Sequence, residues 1–299
     1  MRVTQSMLSN NMLRNLNTNY GKMAKLQEQI NSGSKISRPS DDPVVAVKGM
    51  AYRIDLDKVT QYQRNIGEAH TWLDTTDEVL GLVGDALKRV KELTVQAAND
   101  TNTSEDRQKI DEEIKQIKEQ LRSLANTKVG DNFIFSGTHT NEPLFKDDIL
   151  NGAVTDEGAT REFKLNVFDG ISIQVNTPGK DIFEEIDQFM ADLSGELSTG
   201  ATGSEIGAYL GDGATTELGR LYETVLAARG GVGGRQNRIE MMENRLSLQE
   251  VNVTKQMSKN EDTDYAKAIT EMTTAESIHQ ASLSVGSKII QQTLVDFIR

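Results

Sequence analysis

Tyr52, Asp55, Val59, Tyr62, Ile66, Ala69, Leu73, Thr76, Leu80, Val83, Leu87, Val90, Thr94 and Ala97 follow one another in alternating steps of three and four residues. Only Asp55 plainly breaks the apolar line. A heptad seam sustained this long predicts helix packed on helix at coiled-coil angles. Asp42 and Pro43 supply the start, a carboxylate cap followed by a proline at the first helical position. A helix over 44–99 rises on the order of 80 Å at ~1.5 Å per residue. A compact domain needs far less, so the seam predicts an elongated rod.

Further seams lie on either side. Thr103 with Asp106 three residues on resembles a capping box. Behind it Ile110, Ile114, Ile117, Leu121 and Leu124 form a stripe, with Gly130 as the expected stop. Leu218, Leu221, Val225, Ala228 and Val232, then Ile239, Met242, Leu246, Gln249 and Val253, form a third. Gly230, Gly231, Gly233 and Gly234 fall inside it and predict a break or weak turn, then a long helix to about 260. None of these stripes can be buried alone. The expected bundle core is Leu73, Leu80, Val83, Leu87, Val90, Ile114, Ile117, Leu121, Ile239, Met242 and Leu246. Leu80, Val83 and Leu87 are expected to face helix 104–128 and the 239–253 stretch.

Both ends read as helices with apolar stripes. At the start these are Met12, Leu16, Met23, Leu26 and Ile30. At the end they are Ile269, Met272, Ile278, Leu283, Val285, Ile289 and Leu294. Neither end has a partner adjacent in sequence, so the two pack on one another or on other subunits. The ends also differ in charge from the body. Residues 1–39 carry six Lys/Arg and one Glu within a chain of net charge −12.

The middle is different again. Of the 24 glycines, 17 fall between 130 and 234, which interrupts the heptads. Phe163, Leu165 and Val167 alternate, as do Ile171, Ile173 and Val175, which predicts a hairpin. A three-residue loop, Phe168-Asp169-Gly170, would pair Val167 with Ile171 and give Gly170 a positive φ. Phe133, Ile134 and Phe135 read as a short strand and 181–194 as a short helix. The expected fold class is mainly α: an elongated heptad-rich helical bundle rod built from both chain ends, with a small, mostly β outer domain inserted in the middle. The expected divisions are 1–39 and 263–299 as terminal assembly helices, 40–135 and 206–262 as rod arms, and 136–205 as the variable outer domain.

Composition narrows the function. With no cysteine in 299 residues, the chain has no disulfide framework, thiol nucleophile or thiolate zinc site. Its acidity makes it a poor general binder of nucleic acid. No apolar run is long enough for membrane insertion, and residues 1–6 lack the apolar region of a cleavable signal. Aromatics make up 5% of the chain and apolar residues 36%, sparse for a large enzyme core. His70, His139 and His279 are far apart and fit no metal spacing. No P-loop, G-x-S-x-G or strand-linked G-x-G-x-x-G occurs. Residues 230–235 lack the Lys-Ser/Thr ending of a phosphate cradle. Asp41 and Asp42 read as a helix cap rather than a catalytic pair. No enzyme, cofactor or metal is expected.

Two arms and several local stretches carry a resemblance. Residues 30–43, Ile-Asn-Ser-Gly-Ser-Lys-Ile-Ser-Arg-Pro-Ser-Asp-Asp-Pro, form a distinctive turn centred on Arg38, Pro39, Asp41, Asp42 and Pro43. Residues 87–99, Gly234-Arg235-Gln236-Asn237-Arg238 and Asp264-Tyr265-Ala266 add to it. The chain resembles the bacterial flagellin family over roughly 1–135 and 217–299. Within that family, residues 1–7, Arg38–Pro43, Asn132–Thr138 and Pro143–Phe145 are similar to the subunits between hook and filament rather than to filament flagellin. The resemblance implies an extracellular structural subunit of the flagellum, self-assembling in a ring or helical layer. It implies neighbours in hook-associated protein 1 and flagellin, and passage through the type III export apparatus with an export chaperone. Filament flagellin itself is the alternative within the family, and a cytoplasmic coiled-coil scaffold is the one outside it.

Overall fold

The computed structural model describes residues 5–99, 102–146, 149–154, 157–199, 202–209 and 217–289. The long helices are α1 (Gln5–Ser32), α2 (Pro43–Ala97) and α3 (Ser104–Ala125). Short strands β1 (Lys128–Val129), β2 (Asn132–Phe133), β3 (Phe145–Lys146) and β4 (Ile149–Leu150) follow, then a single 3₁₀ turn at Gly152–Val154 and α4 (Glu157–Thr160). Next come β5 (Lys164–Phe168), β6 (Ile171–Gln174), α5 (Lys180–Thr199), α6 (Gly203–Ala208), α7 (Glu217–Glu261) and α8 (Tyr265–Ile289). The strands form three two-stranded antiparallel sheets, β1–β2, β3–β4 and β5–β6. The chain is mainly α, as expected, and divides into two compact units, 1–58 with 249–299 and 59–248.

Residues 59–248 are built on the seam quoted first. Val59, Ile66, Ala69, Leu73, Thr76, Leu80, Val83, Leu87, Val90, Thr94 and Ala97 are all buried. Ile110, Ile114, Ile117 and Leu121 of α3 join them, as do Leu218, Leu221, Val225, Val232, Ile239 and Leu246 of α7. Met242 is half-buried at the edge. Polar pairs across the seam fix the register. Arg229 donates to Asp77 at 2.8 and 3.0 Å, Gln236 to Asp74 at 2.8 Å, and Lys88 lies 5.9 Å from the Tyr222 ring centre. Here α2 and α7 are antiparallel. Leu80, Val83 and Leu87 are therefore level with 222–232 and not with the 239–253 stretch the sequence suggested. His70 stands beside Glu243 at 3.4 Å, which places that stretch of α7 against the earlier part of α2.

Two expected breaks are absent or displaced. Helix α7 runs unbroken through Gly230, Gly231, Gly233 and Gly234. Leu218, Val225, Val232, Ile239 and Leu246 recur every seven residues and are buried. Seam burial outweighs the roughly 0.5–1 kcal/mol that each mid-helix glycine costs. Helix α3 ends at Ala125, before Gly130. There the Asn126 side-chain amide donates to the Phe145 carbonyl (2.8 Å) and accepts from its N–H (2.9 Å), turning the chain into β1. Gly130 (φ 60°) instead sits in the β1–β2 turn, and of the expected strand Phe133, Ile134 and Phe135 only Phe133 lies in β2, preceded there by Asn132.

The β5–β6 hairpin departs from its expected register at the tip. Phe168 pairs with Ile171 across a two-residue Asp169-Gly170 turn, and Val167 is the extra residue of a bulge. Beyond the bulge Leu165 pairs with Ile173, so the apolar sets still align. Gly170 has the positive φ (70°) the turn demands. The hairpin lies along α2 and α7. Asn65 donates to the Asn166 carbonyl (2.7 Å), Tyr62 stacks on Phe168, and Arg245 covers the Phe168 ring at 4.1 Å. Trp72 is buried, 6.3 Å from the Phe163 ring. Arg235 occupies a seam position of α7 and donates to the Asn176 carbonyl and the Thr177 hydroxyl, both at 2.8 Å. Burial pulls its guanidinium below the ordinary value, with Glu162 opposing. Helix α5 packs on α3 through Phe183, Ile186, Met190 and Leu193. Asp187 holds Arg122 there at 2.6 and 3.1 Å.

Candidate assembly surface

The other unit pairs α1 with α8. On α1 the inward line is Met12, Leu16, Asn19, Met23, Leu26 and Ile30, each half-buried. Their steps of 4, 3, 4, 3 and 4 keep one face toward the partner. Asn19 donates to the Ala275 carbonyl at 3.1 Å, and Tyr20 tilts against His279 with ring centres 6.1 Å apart.

The inward line of α8 shares only Met272 with the apolar one read from the sequence. It is Ala268, Met272, Ala275, His279, Ser282 and Gly286, again in steps of 4, 3, 4, 3 and 4. Apart from Met272 and His279 these are small residues, which let the two backbones come close. A side chain begun at Gly286 would overlap the Met12 terminal methyl, with its Cβ 1.7 Å away. Ile269, Ile278, Leu283 and Val285 point outward and are about half exposed. At 100° per residue, Ile269 and Leu283 fall on one flank of the seam, and Ile278 and Val285 on the other. On α1, Leu13 and Tyr20 form a further exposed flank. The side chain of Ile289 and all of Leu294 lie outside the described residues.

The connection from α1 to α2 is a structured turn. Asp42 caps α2, its carboxylate accepting from Val44 N–H (3.0 Å) and Val45 N–H (3.1 Å), and Pro43 opens the helix. Asp41 accepts from Lys25 (3.3 Å), Arg38 N–H (3.2 Å) and the Ser37 hydroxyl (3.4 Å). The Lys25 hydrogen bond, then that of Arg38, holds its carboxyl below the ordinary value. Arg38 and Pro39 are exposed. Three residues that hydropathy did not single out complete the corner: Gly49, Arg53 and Glu261. Arg53 donates to Glu261 at 2.6 Å. Among the described residues no group of three or more His, Cys, Asp or Glu side chains could hold a metal, and no helix is long and apolar enough to cross a membrane.

What this surface presents is apolar flanks on a helix pair made of the two chain ends. Those helices lie within two longer stretches that match family models, "Bacterial flagellin N-terminal helical region" over 3–140 and "Bacterial flagellin C-terminal helical region" over 216–298. The chain belongs to the bacterial flagellin family. Flagellar hook-associated protein 3 of Escherichia coli is 24% identical to this flagellin-family chain, over 94% of it and 95% of that protein. Flagellin of Halalkalibacterium halodurans is also 24% identical, over 98% and 97%. Flagellin of Clostridium tyrobutyricum is 28% identical over 59% of this chain but only 44% of its own length. Among solved structures, Bacillus cereus FlgL superposes with a TM-score of 0.58 at 25% identity, over 70% of this chain and 99% of that one. A chain of this family is a structural component of the bacterial flagellum.

Proposed function

We propose that this flagellin-family chain is the structural subunit that joins hook to filament. The alignment to hook-associated protein 3 over nearly the whole of both chains carries the reading. The likeness to FlgL and the junction-like turn at Arg38–Pro43 support it. The subunit leaves the cell through the type III export apparatus, seats on hook-associated protein 1, and offers the next layer to flagellin. Its terminal helices supply the subunit contacts through Ile269, Ile278, Leu283 and Val285. Residues 136–205 form a variable outer region, and the chain has no catalytic role.

Filament flagellin is the second reading, favoured by the full-length match to the Halalkalibacterium protein. Deletion separates the two. Cells without a junction subunit still make flagellin and shed it unpolymerised, while hooks stay bare. Cells without their filament subunit release no flagellin. The second outcome would overturn the proposal, as would recovery of the chain along the whole filament.

A further inference from the structure

The two connections that lead into the terminal helices hydrogen-bond to each other. Thr263 N–H donates to the Gly33 carbonyl at 2.8 Å, and Lys35 N–H donates to the Glu261 carbonyl at 2.6 Å. These bonds flank Ser34 and Asp262, which face each other as a single antiparallel bridge. The Lys35 ammonium reaches the Lys259 carbonyl at 2.9 Å, so it satisfies one of the last carbonyls of α7. The Asn260 side chain donates to the Val45 carbonyl at 2.9 Å, tying the end of α7 to the start of α2.

Beside this bridge a carboxylate lies against bare backbone. Gly49 is buried, and a Cβ built there would come within 1.7 Å of one Glu261 carboxylate oxygen. The other oxygen accepts from Arg53, one helical turn beyond Gly49, at 2.6 Å. The Glu261 side chain is 13% exposed and that of Arg53 61%. Gly49 lies on the inward face of α2 with the buried Ala46 and the half-buried Tyr52 and Leu56, where a helix seam would ordinarily carry an apolar side chain. Its vacancy admits the side chain of the residue whose carbonyl accepts one of the two bridge bonds.

We infer that Gly49, Arg53 and Glu261 form a latch that positions the paired connections. With the latch closed, both bridge bonds form together, and α1 and α8 leave α2 and α7 through one joint instead of two independent tethers. Glu261 acts here as a positioning residue: its backbone carries the bridge while its side chain anchors that backbone in the notch.

The test uses the full chain and amide hydrogen exchange at Lys35 and Thr263, one on each connection. Gly49→Ala fills the notch and displaces the carboxylate. Arg53→Gln removes its partner from a side chain too exposed to threaten the fold. Both variants are expected to speed exchange at the two amides by the same factor, on the order of tenfold. A merely structural glycine predicts the reverse for Gly49→Ala, since alanine favours the helix and would slow opening. The chain has no cysteine, so a Ser34→Cys/Asp262→Cys pair can be closed across the bridge in the Gly49→Ala background. Oxidation should return protection to both amides. Unchanged exchange in Arg53→Gln, or acceleration at one amide while the other keeps its original rate, would overturn the latch.

Discussion

Replacing Gly230, Gly231 and Gly234 together by alanine should stabilise the 59–248 unit. All three lie in α7, none has a positive φ, and all are exposed. A Cβ at any of them would meet nothing within 4 Å. No packing term therefore opposes the change, and what remains is the backbone entropy that glycine loses in a helix. That is about 0.5–1 kcal/mol per position, or roughly 1.5–3 kcal/mol for three sites that share no partners. For a unit of this size 1 kcal/mol shifts the midpoint by about 2–4 °C, so the expected rise is roughly 3–12 °C. Calorimetry and urea titration on the purified chain would measure it. A midpoint at or below that of the parent would refute the reasoning, because it would mean that the glycines serve a bend rather than a continuous helix.

The remaining predictions concern the seam, the flanks, the hairpin anchor and a cap. Leu80→Ala should cost about 2–5 kcal/mol in urea titration, since Leu80 is fully buried, whereas Leu283→Ala should stay within about 0.5 kcal/mol as a monomer yet weaken assembly scored by electron microscopy. Arg235→Leu should cost about 1.5–3 kcal/mol through its lost bonds to Asn176 and Thr177, and limited proteolysis should show earlier cleavage between 161 and 178. The Asp106 carboxyl is held below its ordinary value by the Thr103 hydroxyl and then Lys109. Its contribution is therefore complete above its unfolded pKa and is lost as pH falls through the lower folded one, so a ¹³C-carboxyl titration should place Asp106 below the ordinary aspartate value, and an unshifted Asp106 would contradict the cap.

The bundle was legible because its seams close within one chain. Every apolar residue from Val59 to Ala97 in the heptad line is either buried or, like Tyr62, packed on the core. The turn chemistry was legible where one residue type has one physical reason to be there: Asp42 as cap, Pro43 as first helical residue, Gly170 with positive φ. What misled was punctuation judged locally. Four glycines in α7 look like a break, but the seam on the same helix is worth more than their propensity. The helix end at Ala125 depends on the Asn126 amide meeting Phe145, 19 residues away, and no local signal announces that pair. The bulge at Val167 is equally silent, because a two-residue turn with one bulged residue and a three-residue loop give the same pairing beyond the tip.

On α1 the apolar stripe read from the sequence is the inward line, but on α8 it is not. Hydropathy ranks Ile, Leu and Val above Ala, Ser and Gly, so it draws the stripe of α8 through Ile269, Ile278, Leu283 and Val285. The contact with α1 follows Ala268, Ala275, Ser282 and Gly286 instead, because closely approaching helices need small residues at the seam. The small residues of that line, Ala268, Ala275 and Ser282, recur every seven residues, which a heptad search for small residues detects. The large apolar side chains are left on both flanks, about half exposed among the described residues. Scattered singly they would need no explanation, but here they lie along one helix on either side of its seam with α1. On α2, apolar periodicity and burial in the monomer coincide; on α8 they separate. That separation supports the proposed role of the α8 flanks as contacts with another subunit.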